Sequence, residues 1–346
     1  MKTAKELQAS PIVGETHQVQ NVANELHSYN LFTTDAALLE GVKREGGAWG
    51  VSEIAAFGEK CGKPEYLELG FLANKYTPEL DTHDRFGNRV DSVRYHGAYH
   101  ELMKSALEEG LHSQPWTHPR EGAHVVRGAK AFMQSQVEAG HGCPVTMTFA
   151  SIPSFRLQPE VAAIFESKIL NRGYDPRNVP IDEKQSITVG MGMTEKQGGS
   201  DVRANTTTAT PTGQGEREFT LRGHKWFFSA PMCDAHLVVA RTPEDGLACF
   251  FVPRWRPDGS KNAIHIQRLK NKVGNKSNSS SEVEFHDAWG VLMGEAGRGI
   301  PTIIEMATYT RLTCVLGSAA MMRQALVQGI AYTRQRKAFG YTLAQQ

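Results

Sequence analysis

The sequence predicts an α+β chain in three consecutive parts: a polar arm and helical bundle over residues 1–185, a β-barrel or sandwich over 186–290, and the start of a second helical domain over 291–346. Three observations predict it. Apolar residues recur at helical spacing up to about residue 170; short runs of Val, Ile, Thr and aromatics, broken by Gly and Pro turns, fill the stretch from Ser186 to Asp287; and helical spacing returns after Gly299.

The elements follow in order. Residues 1 to about 30 are polar and read as an arm that could lie on a neighbouring subunit. Thr34 is a suitable N-cap for a short helix that Gly46 and Gly47 stop, Ser52 is placed to cap a second, and Pro64 fits the first turn of a third carrying Leu67, Phe71 and Leu72. Residues 81–94 read as a loop, with Phe86, Gly87 and Asn88 supplying turn chemistry. Helices are expected over 96–107 and 122–139, then, after an interruption at 140–144, over 145–155 and 161–170. The strand-like runs are 187–189, 206–210, 218–221, 225–229, 237–240, 248–252, 264–266 and 283–285, close enough together for a barrel or sandwich.

Composition narrows the function classes. The 346 residues carry 38 basic and 37 acidic side chains, a net charge of +1 that demands neither nucleic acid nor an anionic membrane. No apolar run approaches the length of a membrane span and the first residues lack an apolar signal core, so a cytoplasmic protein is expected. The 5 cysteines are widely spaced without a C-x-x-C pair, and no H-E-x-x-H occurs, so reduced thiols and no metal are expected.

Two stretches carry more than a fold needs. Residues 190–202 read GMGMTEKQGGSDV: Gly198 and Gly199 let backbone approach a bound group, Thr194 and Ser200 supply hydroxyls, and Asp201 a carboxylate. Residues 223–230 read GHKWFFSA, with Trp226, Phe227 and Phe228 beside Ser229, a wall suited to a flat ring. Glycines also mark ordinary turns and strand aromatics also face cores, so the residues alone leave a ligand site and plain packing both open.

The pattern T-E-x-x-x-G-S-D-V followed by G-x-K-x-F-x-S resembles the flavin-binding middle of the acyl-CoA dehydrogenase family, and MGMTEKQGGSDV with GHKWFFS is similar to its AidB subgroup, the flavoproteins of the adaptive response to DNA alkylation. The usual family loop, E-P-x-A-G-S-D, is replaced here by Lys196, Gln197 and Gly198 after Glu195, which favours the subgroup. The resemblance extends over almost the whole chain, through 272–299 and through Y-x-x-x-R-x-x-F-G at 332–340.

That resemblance implies an acyl-CoA dehydrogenase-like fold, FAD as cofactor and a site built by Met191, Met193, Thr194, Gly199, Ser200, Phe227, Phe228 and Ser229. Thr194 and Ser229 would hydrogen-bond the isoalloxazine and Phe227 would lie against it, while Arg336, with Phe339, would reach the diphosphate of a partner subunit's FAD. Thr148 and Arg311 are substrate-pocket candidates. Each has a plainer alternative: Arg336 as a surface charge, Phe339 as a helix-end contact, Thr148 as core, Arg311 in a structural salt bridge with a buried partner, Asp201 in a local turn.

The run at 343–346 reads as helix without a stop signal, so the segment is expected to be a piece of a longer protein with exposed apolar faces between 300 and 346. The resemblance places the catalytic glutamate, a glycine-rich flavin contact and a basic domain for double-stranded DNA beyond Gln346, and implies a homotetramer. Three functions stay open: an AidB-type flavoprotein protecting DNA with weak acyl-CoA dehydrogenation, an ordinary short- or branched-chain acyl-CoA dehydrogenase, and a non-catalytic flavin-bearing DNA-associated protein.

Overall fold

The structure, a computed structural model, describes Thr16 and residues 19–244 and 246–346; the earlier part of the predicted arm otherwise lies outside the described residues. Residues 28–321 form one compact unit, and the described residues up to 27 form a second with 322–346.

In the larger unit the bundle comprises α1 (Ala36–Val42), α2 (Val51–Cys61), α3 (Pro64–Lys75), α4 (Gly97–Glu108), the single turn α5 (Gln114–Thr117), α6 (Ala123–Val137), α7 (Gly142–Arg156) and α8 (Pro159–Leu170). Asp35, not Thr34, caps α1 by accepting from the Leu38 N–H at 3.1 Å. Ser52 lies inside the first turn of α2, whose N-cap is Gly50. Pro64 opens α3, where its missing N–H costs nothing. Ile54, Phe57, Leu102, Val126 and Met133 form the centre of the bundle core.

The predicted loop at 81–94 belongs instead to a hairpin, β1 (Glu79–His83) with β2 (Arg89–Arg94), whose turn is tied by Asp84 Oδ1 accepting from the N–H groups of Phe86 and Asn88. Its strands read ELDTH and RVDSVR, mostly polar, so the alternation that announces a half-buried strand is missing. Asp91 of β2 is buried and accepts from the Ile266 N–H at 3.0 Å, while Arg89 donates to the Ile266 carbonyl at 3.2 Å.

The middle of the chain closes into a barrel. β5 (Glu218–Phe228) pairs with β9 (Ser281–Met293), β9 with β7 (Gly246–Pro253), and β7 with β6 (Ala235–Thr242), all antiparallel. β3 (Val189–Gly192) and β4 (Thr208–Pro211) each pair antiparallel with β5 and parallel with β6, which completes the ring. β8 (Ile264–Leu269) pairs with β9. The predicted runs 218–221 and 225–229 are one strand, continuous through Gly223 at φ +149, where a Cβ would come within 2.6 Å of Thr207 Oγ1.

β6 and β7 are buried on both faces. Val238, Ala240, Phe250 and Val252 point into the barrel, and Leu237, Val239, Cys249 and Phe251 point outward onto Phe149 and Phe155 of α7 and Ile169 of α8. The helix α9 (Gly299–Thr333) adds Ile303 and Met306 to that outer layer. Further along it Leu312, Val315 and Met321 are exposed, in line with the apolar faces expected there.

In the smaller unit, Asn21 exchanges hydrogen bonds with the backbone of Lys337, donating to its carbonyl and accepting from its N–H, both at 2.8 Å. Where a longer helix was expected, Leu343–Gln345 form only a 3-10 turn that Thr342 and Gln345 cap reciprocally, preceded by a short hairpin of β10 (Lys337–Ala338) with β11 (Tyr341–Thr342). No described helix is long and apolar enough to cross a membrane.

Close packing of β3 on β6 gives a prediction. A Cβ on Gly190 would sit 2.3 Å from the His236 ring, so Gly190→Ala should lower stability by about 1–3 kcal/mol in urea unfolding. Gly274→Ala, with nothing within 4 Å, should leave the midpoint in place.

Candidate functional site

The two motif stretches are joined by a buried ion pair. Lys225 Nζ lies 2.7 Å from Glu195 Oε1, and both side chains are fully buried. Oε2 also accepts from Thr206 N–H at 2.8 Å and Gln197 Nε2 at 2.7 Å, and Oε1 from Thr207 N–H at 3.1 Å. Burial alone would raise the Glu195 carboxyl, but the Lys225 charge and these donors outweigh it and hold it at about 2. Burial pulls Lys225 down to about 8 against the attraction of Glu195. Two main-chain contacts align the same stretches: Trp226 N–H donates to the Thr194 carbonyl at 2.8 Å, and Lys196 N–H to His224 Nε2 at 3.0 Å.

On this support stand most of the residues singled out in sequence. Thr194 is half-buried and its hydroxyl makes no hydrogen bond within the described residues; the same holds for the exposed Ser200. Gly199 lies against Thr194 so closely that a Cβ would meet Oγ1 at 2.8 Å. Phe227 presents a ring that is 47% exposed. Ser229 is half-buried beside the Cys143 thiol at the start of α7, and Met191 and Met193 pack on the layer formed by α7 and the outer barrel wall.

Other candidates sit elsewhere. Phe228 turns into the barrel, fully buried and stacked on His236 at 4.0 Å, so its ring has no open face. Thr148 is buried, donating to the Pro144 carbonyl and accepting from the Val189 N–H at 3.0 Å; it fastens β3 to α7 rather than lining a pocket. Arg311 is exposed and has no ion pair or hydrogen bond among the described residues, so the buried partner expected for it is absent there. Arg336 and Phe339 belong to the smaller unit, where Arg336 donates to the Asn21 carbonyl and Phe339 is 95% exposed.

Sequence reasoning did not reach several cations. Lys270 Nζ lies 3.2 Å from the centre of the Trp226 ring and 4.5 Å from that of Phe227, and pairs with Glu282 at 2.8 Å. A cleft of about 430 Å³ is lined by Arg203, Arg241, Leu247, Gly297, Ile300 and Pro301, beside the N-terminal turn of α9, and in it the Arg241 guanidinium donates to the Arg203 carbonyl at 2.7 Å. Arg203 lies three residues after Ser200, but Arg241 comes from another strand, and only the fold brings the two together. Among the described residues no group of three His, Cys, Asp or Glu side chains could hold a metal ion.

This layout coincides with known proteins. Residues 21–176 match the N-terminal domain of the adaptive response protein AidB, 190–288 the acyl-CoA dehydrogenase middle domain, and 297–346 the acyl-CoA dehydrogenase C-terminal domain. The chain belongs to the acyl-CoA dehydrogenase family. Within the family it is 47% identical to the putative acyl-CoA dehydrogenase AidB of Escherichia coli, over 96% of this chain and 61% of that protein, and 28% identical to acyl-CoA dehydrogenase family member 11 of Caenorhabditis elegans, over 84% and 48%. The chain thus spans about half to three fifths of the length of these relatives. The crystal structure of C. elegans ACDH-11 in complex with C11-CoA superposes with a TM-score of 0.85 at 26% identity, covering 100% of this chain and 59% of that one.

The ion pair supplies the prediction for this family member. Glu195→Gln leaves the Lys225 ammonium buried opposite a neutral group and should cost about 3–5 kcal/mol in urea unfolding. Adding Lys225→Met should restore part of that loss; a double variant no better than the single one would show that the two do not act as a pair. Because the folded carboxyl is depressed, its contribution is present above its ordinary value of 4.5 and is lost as pH falls through about 2, a dependence that Glu195→Gln should flatten.

Proposed function

We propose that the full-length protein is an FAD-bearing oxidoreductase of the acyl-CoA dehydrogenase kind. The observation that carries this reading is the platform at Thr194, Gly199, Ser200, Phe227 and Ser229, with a half-exposed aromatic ring beside the Thr194 and Ser200 hydroxyls, which make no hydrogen bond among the described residues. These residues fit the cofactor: Phe227 offers a face for a flat ring, Thr194 and Ser229 can hydrogen-bond its polar edge, and Gly199 keeps the Thr194 hydroxyl clear of a side chain. When bound, FAD would supply the hydride acceptor for oxidation of an acyl thioester.

The protein's own part is to hold and to orient. The Glu195–Lys225 pair fixes the loop against the strand, so the donors are in place before ligand arrives and little ordering cost is left. Cys143 and the first turn of α7 border Ser229, which puts that helix beside the platform. Arg203 and Arg241, with the α9 N-terminus, make a cationic cleft suited to the phosphates of coenzyme A. An acyl-CoA ligand is also what the C. elegans structure holds.

The finer reading is an AidB-type protein, tied to protection of alkylated DNA, with modest acyl-CoA turnover. Kinship with the E. coli relative supports it, and the EKQGGSD loop favours it over an ordinary short- or branched-chain dehydrogenase. Contact with double-stranded DNA and a homotetrameric state complete this reading and rest on the resemblance.

Full-length protein should purify yellow, and Thr194→Ala or Ser229→Ala should lower its FAD content by about tenfold in affinity, as the loss of a buried hydrogen bond costs about 1–3 kcal/mol. Full FAD occupancy in both variants would remove the site assignment. Arg336→Ala should weaken FAD only in the oligomer; equal affinity in an oligomer of either kind would make Arg336 a surface charge.

A further inference from the structure

Strand β5 is irregular at the platform. It pairs Lys225 with Val283 and Phe228 with Ser281, so Trp226 and Phe227 together stand opposite the single residue Glu282 of β9. This is a β-bulge, which interrupts the alternation of faces and re-aims side chains. Lys225 and Phe228 on either side are buried, whereas Trp226 is half-buried and Phe227 exposed. Across β9 from the bulge, β8 sets Arg268 opposite the same Glu282.

Positive charge collects around the two bulged rings. Lys270 Nζ lies 3.2 Å from the centre of Trp226 and 4.5 Å from that of Phe227, and Lys196 Nζ and the Arg268 guanidinium lie 5.6 and 5.7 Å from the Trp226 centre. Glu282 is shared: it meets Arg268 at 2.7 Å and Lys270 at 2.8 Å. Lys196 has no ion pair among the described residues, and Glu195 below the loop is already matched by Lys225. One carboxylate offsets one of the two cations it meets, so Phe227 stands in a net positive field. The side chains of Lys270 and Glu282 are each only 10% exposed, and water screens such a pair much less than it screens surface charges. Any ring that packs on Phe227 at the usual 4.5–7 Å between centres lies within roughly 12 Å of the Lys270 ammonium. Over that distance, in a partly buried setting, one unit charge shifts an equilibrium that creates another by about tenfold.

We propose that Lys270, held between the Trp226 and Phe227 rings by Glu282, raises the reduction potential of the cofactor on this platform by stabilising the negative charge that the cofactor gains on reduction. The inference rests on the flavin reading above and is separable from it by experiment. The hydride is that of the acyl thioester oxidation already named, and Lys270 keeps its proton throughout. Full-length FAD-loaded protein is titrated spectroelectrochemically without oxygen, with FAD affinity measured alongside. Lys270→Met should lower the two-electron potential by about 30 mV, a tenfold loss of preference for reduced over oxidised FAD. Glu282→Gln removes the opposing charge and should raise the potential by a similar amount, while Lys270→Arg should stay near wild type. Any other pattern, such as a potential unmoved in either charge-removing variant or moved the same way in both, would overturn the proposal alone and is what a packing role gives. Glu282→Gln decides by itself if Lys270→Met does not fold. Full-length protein that binds no FAD would overturn the flavin reading and this inference with it.

Discussion

A lysine ammonium enclosed with a single carboxylate is the constraint on which the rest of the site depends. Glu195 leaves the loop and Lys225 leaves strand β5, and neither could be buried without the other. Their pairing sets how far Thr194 stands from Trp226, and so where the hydroxyls of the loop stand relative to the ring of Phe227. Such a pair contributes less to net stability than equivalent apolar packing would, but it admits one register of loop on strand. That is what the proposed cofactor platform needs.

The same economy runs through the surrounding layers. Strands β6 and β7 are apolar on both faces, so one set of side chains fills the barrel while the alternate set binds α7 and α8 to its wall. The Thr148 hydroxyl fastens the backbone of β3 to α7 at the point where that helix passes the platform. The residue suggested as pocket lining thus acts one layer further back, holding what lines the site.

Much of this was legible from residue patterns. The change from helical spacing to short β-rich runs at Ser186 marks where the barrel begins, and Gly190 and Gly199 fall where a Cβ would press on a neighbouring side chain, whereas Gly198 has open space around it. What was not legible depends on contacts distant in sequence. Phe227 and Phe228 are adjacent and chemically alike, and only the pleat decides that one faces outward and the other the core. Arg311 stands out in a helix of apolar residues, yet that side of α9 is exposed, whereas Arg127, unremarkable in the run AHVVRGAK, is buried with no acid against it among the described residues. The hairpin of β1 and β2 was hidden because its strands carry charges where a sheet usually carries apolar residues.

Those charges have a use. A closed ring of strands has no free margin, but β8 lies outside the ring, and the Ile266 N–H and carbonyl face away from β9. Asp91 and Arg89 answer both groups with side chains, an arrangement that ends the sheet without offering another backbone to pair with. Were the hairpin to detach, β8 would present a naked edge of IHIQRL to its neighbours in solution, and chains would be free to stack edge to edge into fibrous aggregates.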